Sequence, residues 1–399
     1  LRLYTSSWVV PVSGPPIRDG RVAVEAGRIA WLGAARDPGA PEAPLEDLGP
    51  GVILPGLVNA HCHLELSYLQ GRVALPQPFV AWVRALVAGR ARETPNVLRA
   101  GAERGIQQLV GGGTVAVGDV SNALAHLDLL AASGLRAAVH LELIGWDPER
   151  ADAALRAADA GLAALSPDWE RAGVSVRLAA HAPHSVSPAL FRRLVERGGP
   201  AAVHLAEAPT ETRFLREGDE EWARFLKERG LGHVAFRPPG MSPVRYLDSL
   251  GALRPGLLAA HCVQTDASDH ELLARRGVFV AICPRSNRNL EVGAAPVPAL
   301  LAAGVRLCLG SDGLASVGTL DVLDDVRLLR QTFPELKLET LLRMATLGGA
   351  EALGFADLGS LEPGKRAVLV HAKAAAAVAD PLEHIVSSET RLERVAVAA

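Results

Sequence analysis

Lysine is nearly missing from this chain of 399 residues. Lys227, Lys337, Lys365 and Lys373 are the only lysines among 41 basic residues, and arginine supplies the rest. Basic and acidic side chains almost balance, 41 against 44, for a formal net charge of −3. With no basic excess there is no electrostatic footprint for nucleic acid. Apolar runs are short, none reaching the roughly 18 to 20 residues of a membrane-spanning helix. No charged, apolar, small-residue leader is read at the start. Neither a membrane partner nor secretion is expected. Cys62, Cys262, Cys283 and Cys308 are scattered and form no CxxC pair, so a disulfide framework is not expected and a reducing, cytoplasmic setting is. What is present is an ordinary globular composition, 49% hydrophobic and 21% charged.

The two ends differ from the middle. Short β-rich runs at Leu3–Val12, Arg21–Glu25 and Arg28–Leu32 are punctuated by glycine and proline, the pattern of hairpins. Residues 36–51 read as a linker. A turn at Gly359–Gly364 and a strand at Ala367–His371 make the tail resemble the head. One small β-rich domain built from residues 1–55 and 356–399 is expected beside a larger insert, 56–355. In the insert, apolar runs at Val52–Val58, Thr114–Val120, Arg136–Leu143, Val174–Ala180, Ala201–Ala206, Gly256–Ala260, Val278–Ile282 and Val305–Leu309 alternate with helical stretches such as Ala151–Leu165 and Asp219–Arg229. Eight such alternations over about 300 residues predict an α/β fold, a (β/α)8 barrel. A doubly wound open sheet is the other topology that fits, and the strand count favours closure.

Barrel chemistry gathers where strands end at the C-terminal face. Strand one ends in His61-Cys62-His63, whose two imidazoles share a face while Cys62 points away. Strand four runs into His181, strand five carries His204 with Glu207 three residues on, strand six ends at His261 and strand eight at Asp312. Zinc takes imidazole nitrogen and carboxylate oxygen, and a catalytic site keeps one position open. His61, His63, His204 and Asp312 supply such a set, with Glu207 beside it.

The segment Pro55–Glu65, reading Pro-Gly-Leu-Val-Asn-Ala-His-Cys-His-Leu-Glu, resembles the metal-binding opening of the amidohydrolase superfamily. His204-Leu205-Ala206-Glu207, Cys283-Pro284-Arg285-Ser286-Asn287 and Gly310–Ser316 are similar to its hydrolytic deaminase branch, and Thr346–Ala350 with Gly359–Lys365 resembles the closing segment. The likeness runs through essentially the whole chain, and within the branch the wording is most similar to deaminases of adenosine derivatives with large 5′ groups. Among these the aminodeoxyfutalosine deaminases of the menaquinone pathway come first and the S-adenosylhomocysteine or 5′-methylthioadenosine deaminases second. Guanine deaminases and formiminoglutamate deiminases lie further off, and a barrel scaffold without catalysis is the remaining class. The resemblance implies metal binding by His61, His63, His204 and Asp312, acid–base work by Glu207, and stabilisation of the attacked centre by His261 and Asp312. The implied cofactor is one divalent ion, Zn2+ before Fe2+. Relatives with two metals bridge them with a carbamylated lysine after strand four, and no lysine precedes Lys227. The implied partner is a purine nucleoside, with a homodimer as the assembly left open. A 5′ group ending in a carboxylate calls for a cation at the barrel mouth. By position Arg285 and Arg288 are candidates, with His181 for the sugar or linker.

Other signals are set aside. Gly359-x-x-x-x-Gly364-Lys365 has Arg366 where a phosphate loop needs Ser or Thr. The P-C-x-x-C of the cytidine-deaminase zinc site is missing. His126, His233, His270, His371 and His384 are read as surface or structural. His140 and His184 are weighed as pocket residues but not assigned, and Trp82 falls where a lid would form.

Overall fold

A computed structural model of the chain describes residues 1–91 and 93–397. Eight parallel strands build the centre: Leu57–Cys62, Thr114–Ser121, Arg136–Leu143, Val174–Ala180, Ala202–Leu205, Leu258–His261, Phe279–Ile282 and Arg306–Leu309. The first four ladder in sequence order, as do the last four. Ala201 N–H donates to the Leu178 carbonyl at 2.8 Å and His204 N–H to that of His181 at 2.7 Å, joining strands four and five. Asp312 N–H reaches the His61 carbonyl at 3.0 Å, joining the ends of strands eight and one. The chain is a (β/α)8 barrel, and this last seam brings two of the expected site residues into contact. Gly310 permits it, because a Cβ there would lie 2.7 Å from the His61 backbone carbonyl.

The run expected as strand one, Val52–Val58, is two strands. Gly51–Pro55 pairs with Leu369–Lys373 in a five-stranded sheet at the chain ends, and Leu57–Cys62 begins the barrel. The chain passes from one to the other at Gly56, where a Cβ would sit 2.1 Å from a Val115 methyl. An apolar run carries no mark of such a break, because both halves are fully buried. Residues 36–51, expected as a linker, include the strand Leu45–Asp47, which lies parallel to Arg2–Thr5 at the edge of a second small sheet.

Two helices stand over the C-terminal face. Phe79–Arg90 follows strand one and Glu220–Glu228 follows strand five. The second is started by Asp219, whose carboxylate accepts Trp222 N–H, and its Trp222, Phe225 and Leu226 face inward. Arg84 bridges the two helices through Glu228, at 3.0 Å. Among the described residues no helix is long and apolar enough to cross a membrane.

Candidate active site

His61, His63, His204 and Asp312 come together although strands one, five and eight carry them. Nε2 of His63 faces Nε2 of His204 at 3.1 Å. Asp312 Oδ1 lies 3.4 Å from Nε2 of His63 and 3.7 Å from Nε2 of His61. Metal bonds of about 2.0 to 2.2 Å place the ligand atoms of a tetrahedral ion about 3.3 to 3.6 Å apart, and the spacings found, 3.1 to 3.7 Å, bracket that range. His61 Nε2 is buried and has no hydrogen-bond partner among the described residues. An orphaned imidazole nitrogen, two more pointing at the same volume and a carboxylate oxygen fit a divalent ion. Two further triads, Glu142–His181–His204 and His61–His261–Cys283, share a histidine with the first, so the groups form one centre.

Two of the four, His204 and Asp312, are aimed by a second group. His204 Nδ1 donates to the His181 carbonyl at 3.1 Å, which turns Nε2 inward. Ser286 Oγ and Ser316 Oγ both donate to Asp312 Oδ2, at 2.6 and 2.8 Å, leaving Oδ1 for the histidines. Burial opposes the Asp312 charge, but the imidazoles of His63, His261 and His61 and the Ser286 hydroxyl outweigh it and hold the carboxyl at about 2. Burial pushes the His61, His63 and His204 imidazoles below their usual range, so each offers a lone pair.

Glu207 and His261 stand beside this cluster, with Glu207 Oε1 3.7 Å from His261 Nε2. Burial raises the Glu207 carboxyl to about 7, a value suited to both taking and giving a proton. Burial works against a charged His261, but Glu207, Asp312 and the Asn287 bond outweigh it and raise the imidazole. Ala206, His261 and Asp312 all have positive φ, 51°, 74° and 60°. Backbone strain of this kind collects at functional sites, and here it turns the strand ends so that side chains from three strands converge. Glu211 fixes one turn: its carboxylate accepts Ala206 N–H at 3.1 Å and Glu207 N–H at 2.9 Å.

The cluster forms the floor of a cavity of about 910 Å³. His181 lines it, its imidazole pushed down to about 3 by burial, as does Trp82, whose indole N–H donates to the Ala315 carbonyl at 2.9 Å. His184 lines it as well, whereas His140 does not. Glu142, at the end of strand three, went unread in the sequence: it lines the floor, lies 3.4 Å from His204 Nδ1, and burial lifts its carboxyl to about 8. The signal was two polar residues, His140 and Glu142, alternating in a strand that is otherwise apolar after Arg136.

Arg285 is not placed where position in the sequence suggested. Its guanidinium is turned away from the cavity and bonded to Asp325 at 2.7 Å, Thr319 at 2.8 Å, the Asp321 carbonyl at 3.0 Å and Asp324 at 3.3 Å. A buried arginine among so many acceptors is an anchor for the segment that carries Ser286 and Asn287. Arg288 is exposed and also lies outside the cavity. The arginines that do line it are Arg90, Arg150 and Arg229.

A fold and cluster of this kind define a barrel hydrolase, and comparison with known proteins gives the family. The chain belongs to the amidohydrolase family, whose model matches residues 52–397. It is 36% identical over 323 residues to the aminodeoxyfutalosine deaminase of Deinococcus radiodurans, covering 77% of this chain and 75% of that protein. It is 32% identical over 380 residues to the 5-methylthioadenosine/S-adenosylhomocysteine deaminase of Moorella thermoacetica, covering 91% and 83%. Among solved structures, the adenosine deaminase of Xanthomonas campestris with bound zinc superposes with a TM-score of 0.77 at 28% identity, over 96% of this chain and 88% of that one. The Helicobacter pylori aminofutalosine deaminase, in complex with methylthio-coformycin, has the same fold, with a TM-score of 0.84 at 21% identity over 99% and 100% of the two chains. The protein is a hydrolase of carbon–nitrogen bonds other than peptide bonds, from a metal-dependent family.

Proposed function

We propose that the protein hydrolytically deaminates an adenosine derivative with a large, carboxylated 5′ group, in the first place 6-amino-6-deoxyfutalosine, giving futalosine and ammonia. The observation that carries the deaminase reading is Glu207, held by Glu211 beside His261 and next to the three-histidine, one-aspartate cluster. His61, His63, His204 and Asp312 hold one divalent ion, zinc in the first place. The bound ion supplies a water acidified enough to attack at neutral pH.

Glu207 takes the proton of the attacking water and delivers it to the ring nitrogen beside the aminated carbon, which makes that carbon electrophilic. His261, tied at Nδ1 to Asn287, directs Nε2 at the same place and stabilises the charge that develops there. The remaining water proton passes to the amine, the carbon–nitrogen bond breaks, and a carbonyl and ammonia result.

Cavity size and lining support the substrate class. Ligand pockets run from about 300 to 1,000 Å³, so this one, at about 910 Å³, lies near the upper end. Its wall carries Phe79, Trp82, Trp146, Trp222 and Phe225, a surface for an aromatic extension. Arg150 and Arg229 are exposed arginines on the lining, and neither has an ion-pair partner among the described residues. They take the role first considered for Arg285, receiving a carboxylate. S-adenosylhomocysteine is the second reading, and Asp147 on the same lining favours it, because an amino acid tail also needs an anion. A panel of adenosine, 5′-methylthioadenosine, S-adenosylhomocysteine and aminodeoxyfutalosine, assayed for ammonia release, tests the proposal. The highest kcat/KM is expected for aminodeoxyfutalosine, and no ammonia from any member removes the deaminase reading.

A further inference from the structure

Arg90 differs from the other two arginines of the cavity wall in being fully engaged. It is the last residue of the helix Phe79–Arg90, whose Trp82, Val83 and Leu86 line the same cavity. Its guanidinium bridges from that helix to the barrel. Nη2 lies 2.8 Å from Glu65 Oε1, and Nη1 donates to Asn122 Oδ1 at 2.8 Å. Glu65 is itself held, because its other oxygen accepts Ser121 Oγ at 2.7 Å, Asn122 N–H at 3.0 Å and Ala123 N–H at 3.1 Å. One guanidinium thus ties the helix to the chain just past strands one and two.

The Asn122 amide carries the contact further. Its Nδ2 donates to the Glu142 carbonyl at 3.0 Å and to Glu142 Oε2 at 3.1 Å. A guanidinium only donates and a backbone carbonyl only accepts, so the amide has a single orientation here. With Oε2 taken, the oxygen that Glu142 presents to His204 Nδ1, at 3.4 Å, is Oε1. Oε1 is buried and has no hydrogen-bond partner among the described residues. Its place is therefore set by the bonds that Asn122 makes to the rest of Glu142. Arg90, Asn122, Glu142 and His204 form one line of contacts, from the helix over the barrel mouth to a residue of the metal cluster. Groups behind a metal-bound histidine fix the turn of its ring and its basicity, and losing one typically costs about 10- to 100-fold in metal affinity.

Resting on the metal centre of the reading above, we infer that Arg90 is a positioning residue: through Asn122 it orients Glu142 behind His204, so that seating of the helix Phe79–Arg90 strengthens the hold on the ion. The test measures affinity for Zn2+, by competition with a chelator, in wild type, Arg90→Met, Asn122→Leu, the double variant and Arg84→Met. Melting temperatures of the metal-free proteins show that each is folded. Asn122→Leu leaves the Arg90–Glu65 pair in place, so it reads the line of contacts even where R90M folds poorly. Arg84→Met breaks the bridge from the same helix to Glu228 and leaves the line untouched.

R90M and N122L are each expected to weaken Zn2+ binding about tenfold, the lower end of that range because neither touches His204 itself. The double variant is expected to lose no more than the more affected single one, since both act along one line. R84M is expected to bind as wild type does. Wild-type affinity in either folded single variant, or losses that multiply in the double one, overturns the inference and leaves the metal centre intact. Equal loss in R84M assigns the effect to the helix as a whole and takes the role from Arg90. A wild type that binds no Zn2+ overturns the metal reading as well.

Discussion

The amide oxygen of Asn287 lies 2.9 Å from Nδ1 of His261, and this bond decides which nitrogen His261 presents to Glu207. A carbonyl acceptor requires the proton on Nδ1, so Nε2 is the nitrogen that points 3.7 Å across to Glu207 Oε1. The neighbouring Ser286 fixes Asp312 in the same way at 2.6 Å. Adjacent residues of one short helix, Pro284–Asn289, thus set two site side chains, and Arg285 pins that helix to Val322–Thr332. Asn287→Leu is expected to lower kcat about 10- to 100-fold with KM little changed, the range seen for groups that orient others. Unchanged bound metal would separate this from loss of the ion, and an unchanged kcat would show that the backbone alone holds His261.

Glu207→Gln has a different expected signature. The amide keeps the shape but cannot carry a proton, and general acid–base catalysis is worth about 10² to 10⁴-fold. Turnover should fall by at least that range. Elemental analysis should still find one divalent ion per chain in wild type and variant alike. Near-normal turnover would take Glu207 out of the mechanism. Two tightly held ions per chain would contradict the single centre, which the His181 at the end of strand four, in a stretch without lysine, supports.

Much of this arrangement was legible in the sequence because barrel strands end in polar residues that nothing else in an apolar run explains. His61, His63, His204, His261 and Asp312 could be picked out for that reason, and the structure brings them together. What escaped depends on tertiary contact. Arg285 stands next to two site-positioning residues, yet its side chain turns to Asp324 and Asp325, some forty residues on, which proximity in sequence does not reveal. Ser286, Asn287 and Glu211 act only through other residues, and a serine or glutamate at a helix start looks the same whether it caps or positions. The break at Gly56 was hidden because burial on both sides erases the contrast that marks a strand end.

The arginines give a paired prediction. Arg285 is buried against the fully buried Asp325, and removing one partner of such a pair costs about 3 to 5 kcal/mol. Arg285→Met should lower the melting temperature and, where folded, reduce kcat/KM alike for substrates with and without a carboxylate. Arg150→Ala or Arg229→Ala should leave stability unchanged. A charge-assisted bond is worth roughly 1.5 to 3 kcal/mol, so the effective variant loses about 10- to 100-fold on the carboxylated substrate and nothing on adenosine. If neither variant discriminates between the two, the carboxylate is received elsewhere and the futalosine reading loses its contact.

The turn after strand one supplies a prediction about pH. Asp119, fully buried, accepts Leu64 N–H at 2.8 Å through Oδ1 and bonds His126 Nε2 at 2.7 Å through Oδ2, and so braces the chain just past His63. Burial works against a charged His126, but the Asp119 carboxylate outweighs it and raises the imidazole above its usual value. A histidine that holds its proton more tightly when folded stabilises fully below the unfolded value, about 6.5, and loses that contribution as pH rises through the raised folded one. His126→Gln removes the titrating partner and leaves Asp119 with a neutral one. Breaking a buried charged pair costs about 3 to 5 kcal/mol, so near about pH 6 the variant should melt well below wild type. The gap should narrow steadily as pH rises from there and the wild-type imidazole loses its proton. Melting temperatures of both proteins at intervals across that range check it, and a gap that stays constant would mean that the bond to Asp119 is made by a neutral imidazole throughout.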